Sequence, residues 1–250
     1  MPATQEAVPE LNSIEHYNQL HNFFNKFNVV KFMNHGFFPN SKILKQEDLL
    51  FKYEATLYLE LLKNIKTENL TLLDIGCGRG GGLDIFKKYL KLKKVYGCDI
   101  NNMAIEYCKK NYKDIDFKVC SSDKLTYDNN SFDLITNVES FHCYKNKENF
   151  FKETARVLKT NGRLLMTDIN LNNLLLDNSF KGYFEITECT DITPNVAFAC
   201  KHNIKNFNKN IENKQMRDHL VDVRQQKLYL YLKHDTYYMI HLTKINGGKK

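Results

Sequence analysis

Between Leu72 and Gly82 the chain reads LLDIGCGRGGG, with five glycines in its last seven residues. An apolar run that ends in glycines, followed by Leu83, Phe86, Tyr89 and Leu90 on one helical face, predicts a strand turning sharply into a helix. Such a turn points the free N–H groups of the helix at negative charge. The alternation then continues. KVYGCDI reads as a second strand, Met103, Ala104, Tyr107 and Cys108 mark a second helix, IDFKVC a third strand and FDLITNV a fourth. Phe150, Phe151, Thr154, Val157 and Leu158 stripe another helix, which Asn161-Gly162 is expected to stop before the strand RLLMTDI. Five strands separated by helical crossovers predict a parallel sheet covered on both faces, with ligands at the carboxyl ends of the strands where strand order reverses.

Outside this core, residues 11–65 carry aromatic stretches at helical spacing, IEHYNQLHNFFNKFNVVKFMNHGFF and DLLFKYEATLYLELLKNI. Residues 183–244 supply a strand at YFEITE, a polar helix near 195–225 and a last strand at TYYMIHLTKI; KLYLYLK fits helix or hairpin equally. The 250 residues are expected to form one domain: an N-terminal helical cap (1–65), a ligand-binding core (66–170) and an acceptor-side cap with the last strands (171–250).

Composition narrows the class. No run of about 18 apolar residues is present, and MPATQEAVPE lacks the basic-then-apolar layout of a signal peptide, which predicts a soluble, cytoplasmic protein with no membrane span. Seven cysteines without a C-x-x-C pair argue against a disulfide framework or a zinc knuckle, and no cluster has metal-ligand spacing, so no metal is expected. The excess of seven basic side chains, 36 over 29, is spread along Asn/Lys-rich loops without an aromatic-and-basic motif, so no nucleic-acid partner is expected. The partner is expected to be a small molecule, and the chain a monomer or homodimer.

The glycines alone admit two ligands. Gly76, Gly78 and Gly81 satisfy G-x-G-x-x-G, the pattern for a dinucleotide pyrophosphate; Gly76, Gly78 and Gly80 satisfy G-x-G-x-G, the pattern for the methionyl end of a methyl donor. Asp99, 21 positions beyond Gly78, is placed for ribose hydroxyls, which both ligands carry. Asp123, in the CSSD that closes the third strand, is placed to accept from an adenine amino group. Asp74, two residues before Gly76, suits a cationic, amino-acid-bearing ligand. The Tyr-x-x-x-Lys spacing of a short-chain dehydrogenase occurs only at Tyr89/Lys93 and Tyr229/Lys233, neither after the fourth strand.

The ordered set LLDIGCGRGGG, VYGCDIN, SSD, FDLITNVESFHCY and FFKETARVLKTNGRLLMTDI resembles the class I S-adenosylmethionine-dependent methyltransferases, small-molecule branch, over about residues 70–170. E-S-x-H after the fourth strand resembles the sugar, polyketide and phenolic-lipid O-methyltransferases; TDITPNVAFA and FMNHGFF resemble segments of the same enzymes, the latter the one that covers the donor. The resemblance implies a doubly wound, Rossmann-like, seven-stranded sheet, mostly parallel with an antiparallel last strand, with N-terminal and late helical caps. It implies S-adenosylmethionine as cofactor, leaving S-adenosylhomocysteine. Gly76, Gly78 and Gly80 would hold the methionyl end, Asp99 the ribose, and Ser122 and Asp123 the adenine end. Asp74, Ile100 and Asn137 complete the expected donor set. An [ND]-P-P-[YF] loop, the mark of nucleobase and glutamine N-methyltransferases, is replaced here by Asn137-Val138-Glu139-Ser140.

For a hydroxyl acceptor a base is needed, and His142, just past the fourth strand, is the expected catalytic group with Asp168 as its orienting partner. A second histidine found next to it in some related enzymes is Cys143 here. The acceptor is expected to be small and hydrophobic or aromatic, beneath a lid of Phe23, Phe24, Phe27, Phe32, Phe37 and Phe38, with His35 and Tyr17 near the donor. The alternatives are C- or N-methylation of sterol-like or phosphoethanolamine-like type, in which Glu139 would hold the cationic centre, and a non-catalytic donor-binding subunit.

Overall fold

The computed structural model describes residues 13–27, 29–39, 44–176 and 178–245. The N-terminal MPATQEAVPE therefore lies outside the described residues. Seven strands form one sheet: β1 (Thr71–Ile75), β2 (Lys94–Asp99), β3 (Asp116–Val119), β4 (Phe132–Val138), β5 (Leu158–Ile169), β6 (Phe184–Asp191) and β7 (Tyr237–Lys244), in the order β3-β2-β1-β4-β5-β7-β6. The pairs among β1 to β5 are parallel, and β7 runs antiparallel to both β5 and β6. Strand order reverses between β1 and β4, the place where a doubly wound sheet opens a crevice at its carboxyl edge.

Helices α1 (Ser13–Asn25), α2 (Lys52–Leu61), α3 (Gly81–Tyr89), α4 (Asn102–Asn111), α5 (Lys147–Val157), α6 (Thr193–Asn210) and α7 (Lys214–Lys233) surround the sheet. Two apolar clusters lie on its two faces, one around Leu72, Phe86 and Phe207, the other around Leu73, Phe150 and Phe184. Alternate residues of β1 feed opposite clusters, so the strand is buried on both sides and reads as a mainly apolar run that Asp74 interrupts.

Four expected boundaries move. The first aromatic stretch is helical only to Asn25, and residues 29–39 run as an irregular strap whose N–H groups bond outward, Phe37 to Tyr53 O (2.9 Å) and Phe38 to Asn195 O (3.2 Å). Helix α5 stops at Val157, and Asn161 (φ 59°) lies inside β5, close to a shift of its register with β4. The polar stretch near 195–225 is two helices, broken at 211–213, and Asn213 caps the second through Met216 N. KLYLYLK completes that helix. The expected aromatic lid is mostly core: Phe24, Phe32 and Phe37 are buried, and Phe38 stacks on His202 at 4.3 Å.

The strap is fastened from below by a buried ion pair. Arg224 Nη2 donates to Glu54 Oε1 (2.7 Å) and to Asn34 O (2.8 Å), while Asn203 Nδ2 donates to the same Glu54 oxygen (2.9 Å). Arg224→Met strands the Glu54 carboxylate and should cost about 3–5 kcal/mol in urea denaturation, whereas Glu54→Leu/Arg224→Met recovers most of it. An additive double variant would contradict this coupling.

Candidate functional site

Strand β1 delivers the glycine turn to the carboxyl edge. Gly76, Gly78 and Gly80 all have positive φ (74°, 52° and 73°), the left-handed region that other residues enter at a cost. Their surroundings differ. A Cβ on Gly76 would collide with Ser140 Oγ, and one on Gly80 would meet Cys108 Sγ at 2.9 Å, so both positions are filled by protein. At Gly78 nothing lies within 4 Å of that point. Gly80 caps α3 with its Cβ side against Cys108 of α4, and at Gly82 the Tyr58 ring occupies the place of a Cβ.

The turn is tied to β2. Gly78 N donates to Asp99 Oδ2 and Asn101 N to Asp99 Oδ1, each at 2.9 Å. Burial pushes the Asp99 carboxyl up, opposed by the N–H groups of Asn101, Gly78 and Ile100. Ile100, next in line, leaves 52% of its surface exposed, an apolar face beside the carboxylate. A ribose and an adenine fit that pair by chemistry: hydroxyls on Asp99 and a flat apolar ring on Ile100. Beyond β3, Asp123 accepts from Ser121 Oγ, with Ser122 between them in the same turn.

Two expected donor residues work from behind. The Asp74 carboxylate is buried in β1 and accepts from Thr136 Oγ1 (2.7 Å); burial, against that bond, lifts its carboxyl to about 7. The Asn137 amide donates to Ile75 O (2.9 Å), Ser140 Oγ (2.8 Å) and Tyr144 Oη (2.9 Å), which ties the end of β4 to the start of the glycine turn.

After β4 the chain passes through Glu139, a non-glycine residue at φ 48°, into a short 3-10 turn, Phe141–Cys143. His142 Nδ1 lies 2.7 Å from Asp168 Oδ1, and His142 N donates to Asp168 Oδ2 (3.1 Å). The Asp168 side chain is 1% exposed and that of His142 39%. The carboxylate accepts the Nδ1 proton, which leaves Nε2 as the lone-pair nitrogen of the neutral ring. Burial disfavours the imidazolium, but the hydrogen bonds and charges of Asp168 and Cys143 outweigh it and raise His142 to about 10. A cavity of about 360 Å³ opens here, lined by His142, Phe141, Lys147, Ile169 and Leu174 among others.

Glu139 belongs to a second cluster. Its Oε1 accepts from His35 N (2.7 Å) and from Tyr237 Oη, and His35 Nδ1 lies 2.7 Å from Tyr231 Oη. Burial lifts the Glu139 carboxyl to about 7, and burial keeps His35 well below the ordinary imidazole value. Tyr231 and Tyr237 were not legible as site residues, because each occupies an ordinary apolar position of its own helix or strand.

Residues 73–166 match the model of a methyltransferase domain. The match runs from β1 into β5, so this segment carries a methyltransferase domain, and its sheet order and edge are similar to those of class I S-adenosylmethionine-dependent methyltransferases. Among its relatives, a fatty-acid O-methyltransferase of Mycolicibacterium smegmatis is 31% identical over 144 residues, 56% of this chain and 53% of that protein. A phthiotriol/phenolphthiotriol dimycocerosates methyltransferase of Mycobacterium tuberculosis is 32% identical over 137 residues, 54% of this chain and 51% of that one. The chain thus spans about half the length of the curated relatives it matches. Solved structures share the fold: the [4+2]-cyclase SpnF superposes with a TM-score of 0.72 at 17% identity, covering 97% of this chain and all of that one. A Haemonchus contortus phosphoethanolamine N-methyltransferase bound to S-adenosylhomocysteine gives 0.67 at 19%, covering 76% of this chain and 52% of that one.

The glycines separate by role in a stability measurement. Gly82→Ala collides with Tyr58 and should lose about 3 kcal/mol, while Gly78→Ala meets only backbone strain and should lose about 1 kcal/mol, by urea denaturation. The reverse order would contradict the assignment of Gly78 to the ligand side of the turn.

Proposed function

We propose that this chain transfers the methyl group of S-adenosylmethionine to a hydroxyl of a small, hydrophobic acceptor, with His142 as the base and Asp168 as its orienting partner. The observation that carries this reading is the 2.7 Å His142–Asp168 pair at the carboxyl edge of the sheet, beside a cavity whose wall joins Phe141, Ile169, Leu171 and Leu174 to polar groups of Lys147 and Asn170. Gly78, Asp99, Ile100 and Asp123 would hold the donor. Asp74 and Asn137 hold the turn from behind, and Ser122 would join Asp123 at the adenine end.

When bound, the donor supplies a methyl group on a cationic sulfur. This chain's residues have the remaining tasks: to place the acceptor oxygen in line and to take its proton on His142 Nε2. The same Asp168 that fixes the tautomer also makes the ring a strong base, protonated at neutral pH in the ligand-free chain. A neighbouring positive charge disfavours the imidazolium, so a bound sulfonium moves the ring toward the neutral form.

An oxygen acceptor is favoured over a carbon or nitrogen one by the state of Glu139. A carboxylate that steadies an amine or a carbocation needs a free oxygen toward the acceptor, whereas Glu139 Oε1 is committed to His35 N and Tyr237 Oη and Oε2 lies 3.2 Å from His35 Nδ1. The fatty-acid and phthiotriol enzymes among the relatives support a lipid-like acceptor for this chain too.

The test is transfer of a labelled methyl group to panels of long-chain alcohols, phenols and amines. A methylated alcohol or phenol is the expected product, and a methylated amine or carbon would overturn the oxygen reading. With the base unprotonated in the active form, kcat/KM for the acceptor at saturating donor should rise with pH through a midpoint above the ordinary imidazole value of about 6.5. Asp168→Asn should move that midpoint down, and His142→Ala should lower turnover by about 10²-fold or more. Unchanged turnover in His142→Ala would remove the base from the account.

A further inference from the structure

Arg79, in the middle of the glycine turn, is 1% exposed and points away from Gly78, toward the N-terminal helix. Its Nε donates to Val30 O (2.7 Å), its Nη1 donates to Asn25 Oδ1 (2.8 Å) and lies 3.3 Å from His21 Nδ1, and its guanidinium stacks 3.6 Å above the Tyr107 ring of α4. Burial, with Arg79 alongside, lowers His21 to about 4, so the imidazole is neutral and can accept. The turn after β1 is thereby joined to both ends of the chain segment that leaves α1.

The rest of α1 repeats the pattern. Asn18 Oδ1 accepts from Asn101 Nδ2 (2.8 Å), in the turn after β2, and Tyr17 Oη lies 3.7 Å from Cys143 Sγ, in the turn after β4. Tyr17, Asn18, His21 and Asn25 fall at i, i+1, i+4 and i+8, a single stripe along the helix. This stripe is polar, and it meets the turns after β1, β2 and β4, the three that frame Gly78 and Asp99. The aromatic side of the helix points elsewhere: Phe23 and Phe24 pack on His219 of α7, with ring centroids 4.7 and 5.7 Å away.

We propose that Arg79 is a positioning residue for the methyl donor, a latch that holds α1 across the donor edge so that the donor leaves only when the helix lets go. The inference rests on the donor reading above. Arg79 reaches three acceptors on the α1 side with a rigid planar fork, while its face is fixed by Tyr107; a lysine keeps the charge but cannot span these partners at once. Because docking of the helix and occupancy of the edge favour each other, each must strengthen the other by the same factor.

The experiment uses the full chain with S-adenosylhomocysteine as the probe. Its dissociation rate is read by stopped-flow displacement, and amide exchange of residues 13–25 is followed with and without it, in the native chain, in Arg79→Lys and in His21→Ala/Asn25→Ala. The double variant breaks the latch from the helix side, leaving the glycine turn intact, and serves if Arg79→Lys folds poorly. Expected are S-adenosylhomocysteine-dependent slowing of exchange in the native helix, its loss in the variants, dissociation faster by about tenfold or more, and a donor KM that rises by more than kcat falls. Equal dissociation rates with tight native binding would overturn the latch alone. Absence of binding to the native chain would overturn the donor reading and the latch together.

Discussion

The hydrogen bond from Gly78 N to the Asp99 carboxylate closes the crevice edge between β1 and β2. Only a residue with φ near 52° can present that N–H while leaving its own Cα side open, and only a strand pair in the β1–β2 register brings the carboxylate beneath it. A charge-assisted bond of this kind contributes about 1.5–3 kcal/mol, and breaking it leaves the Gly78 N–H unpaired and takes one of its donors from the half-buried Asp99 carboxylate. Asn101 then follows from Asp99: its N–H is the second donor to the carboxylate, its Oδ1 caps α4 through Ala104 N, and its Nδ2 reaches α1. Three elements thus take their positions from one carboxylate.

A second constraint acts from the opposite side of the crevice. The strap at 29–39 has no regular partner for its backbone, so its polar groups are satisfied by side chains from distant elements: Arg79 on Val30 O, Arg224 on Asn34 O and Glu139 on His35 N. Each of these side chains is buried. Arrangements of this type add little net stability, since desolvation offsets much of the attraction, but they penalise any other placement of the strap heavily. The positive φ of Glu139 fits the same picture: backbone strain of about 1–3 kcal/mol persists where the surroundings over-determine a conformation.

The parts of this molecule that repeat with a period were readable in the sequence. Strands β1 to β5, the helices between them and the last strand all follow from apolar spacing, and the glycine turn, Asp99 and the His142–Asp168 pair follow from their places at strand ends. The strap was misread as helix because the helical spacing of Phe23, Phe24 and Phe27 was carried on through the aromatic residues that follow, whereas Phe37 N and Phe38 N bond outward to Tyr53 O and Asn195 O. The His35–Tyr231 and Glu139–Tyr237 contacts join residues 196 and 98 positions apart, and no local pattern marks either tyrosine. Arg79 had a visible sign, a large cation among five glycines, and the stripe Tyr17, Asn18, His21 and Asn25 was its hidden complement within a helix that looked merely aromatic.

The central claim is that the edge built on Asp99 holds a nucleoside-bearing methyl donor. Calorimetric titration of the chain with S-adenosylhomocysteine, beside Asp99→Ala and Asp99→Asn, tests it most directly. The account predicts saturable binding at one site, weakened by about tenfold or more in both variants, as expected for the loss of charged hydrogen bonds. No heat of binding in the native chain, or equal affinity in all three proteins, would contradict it.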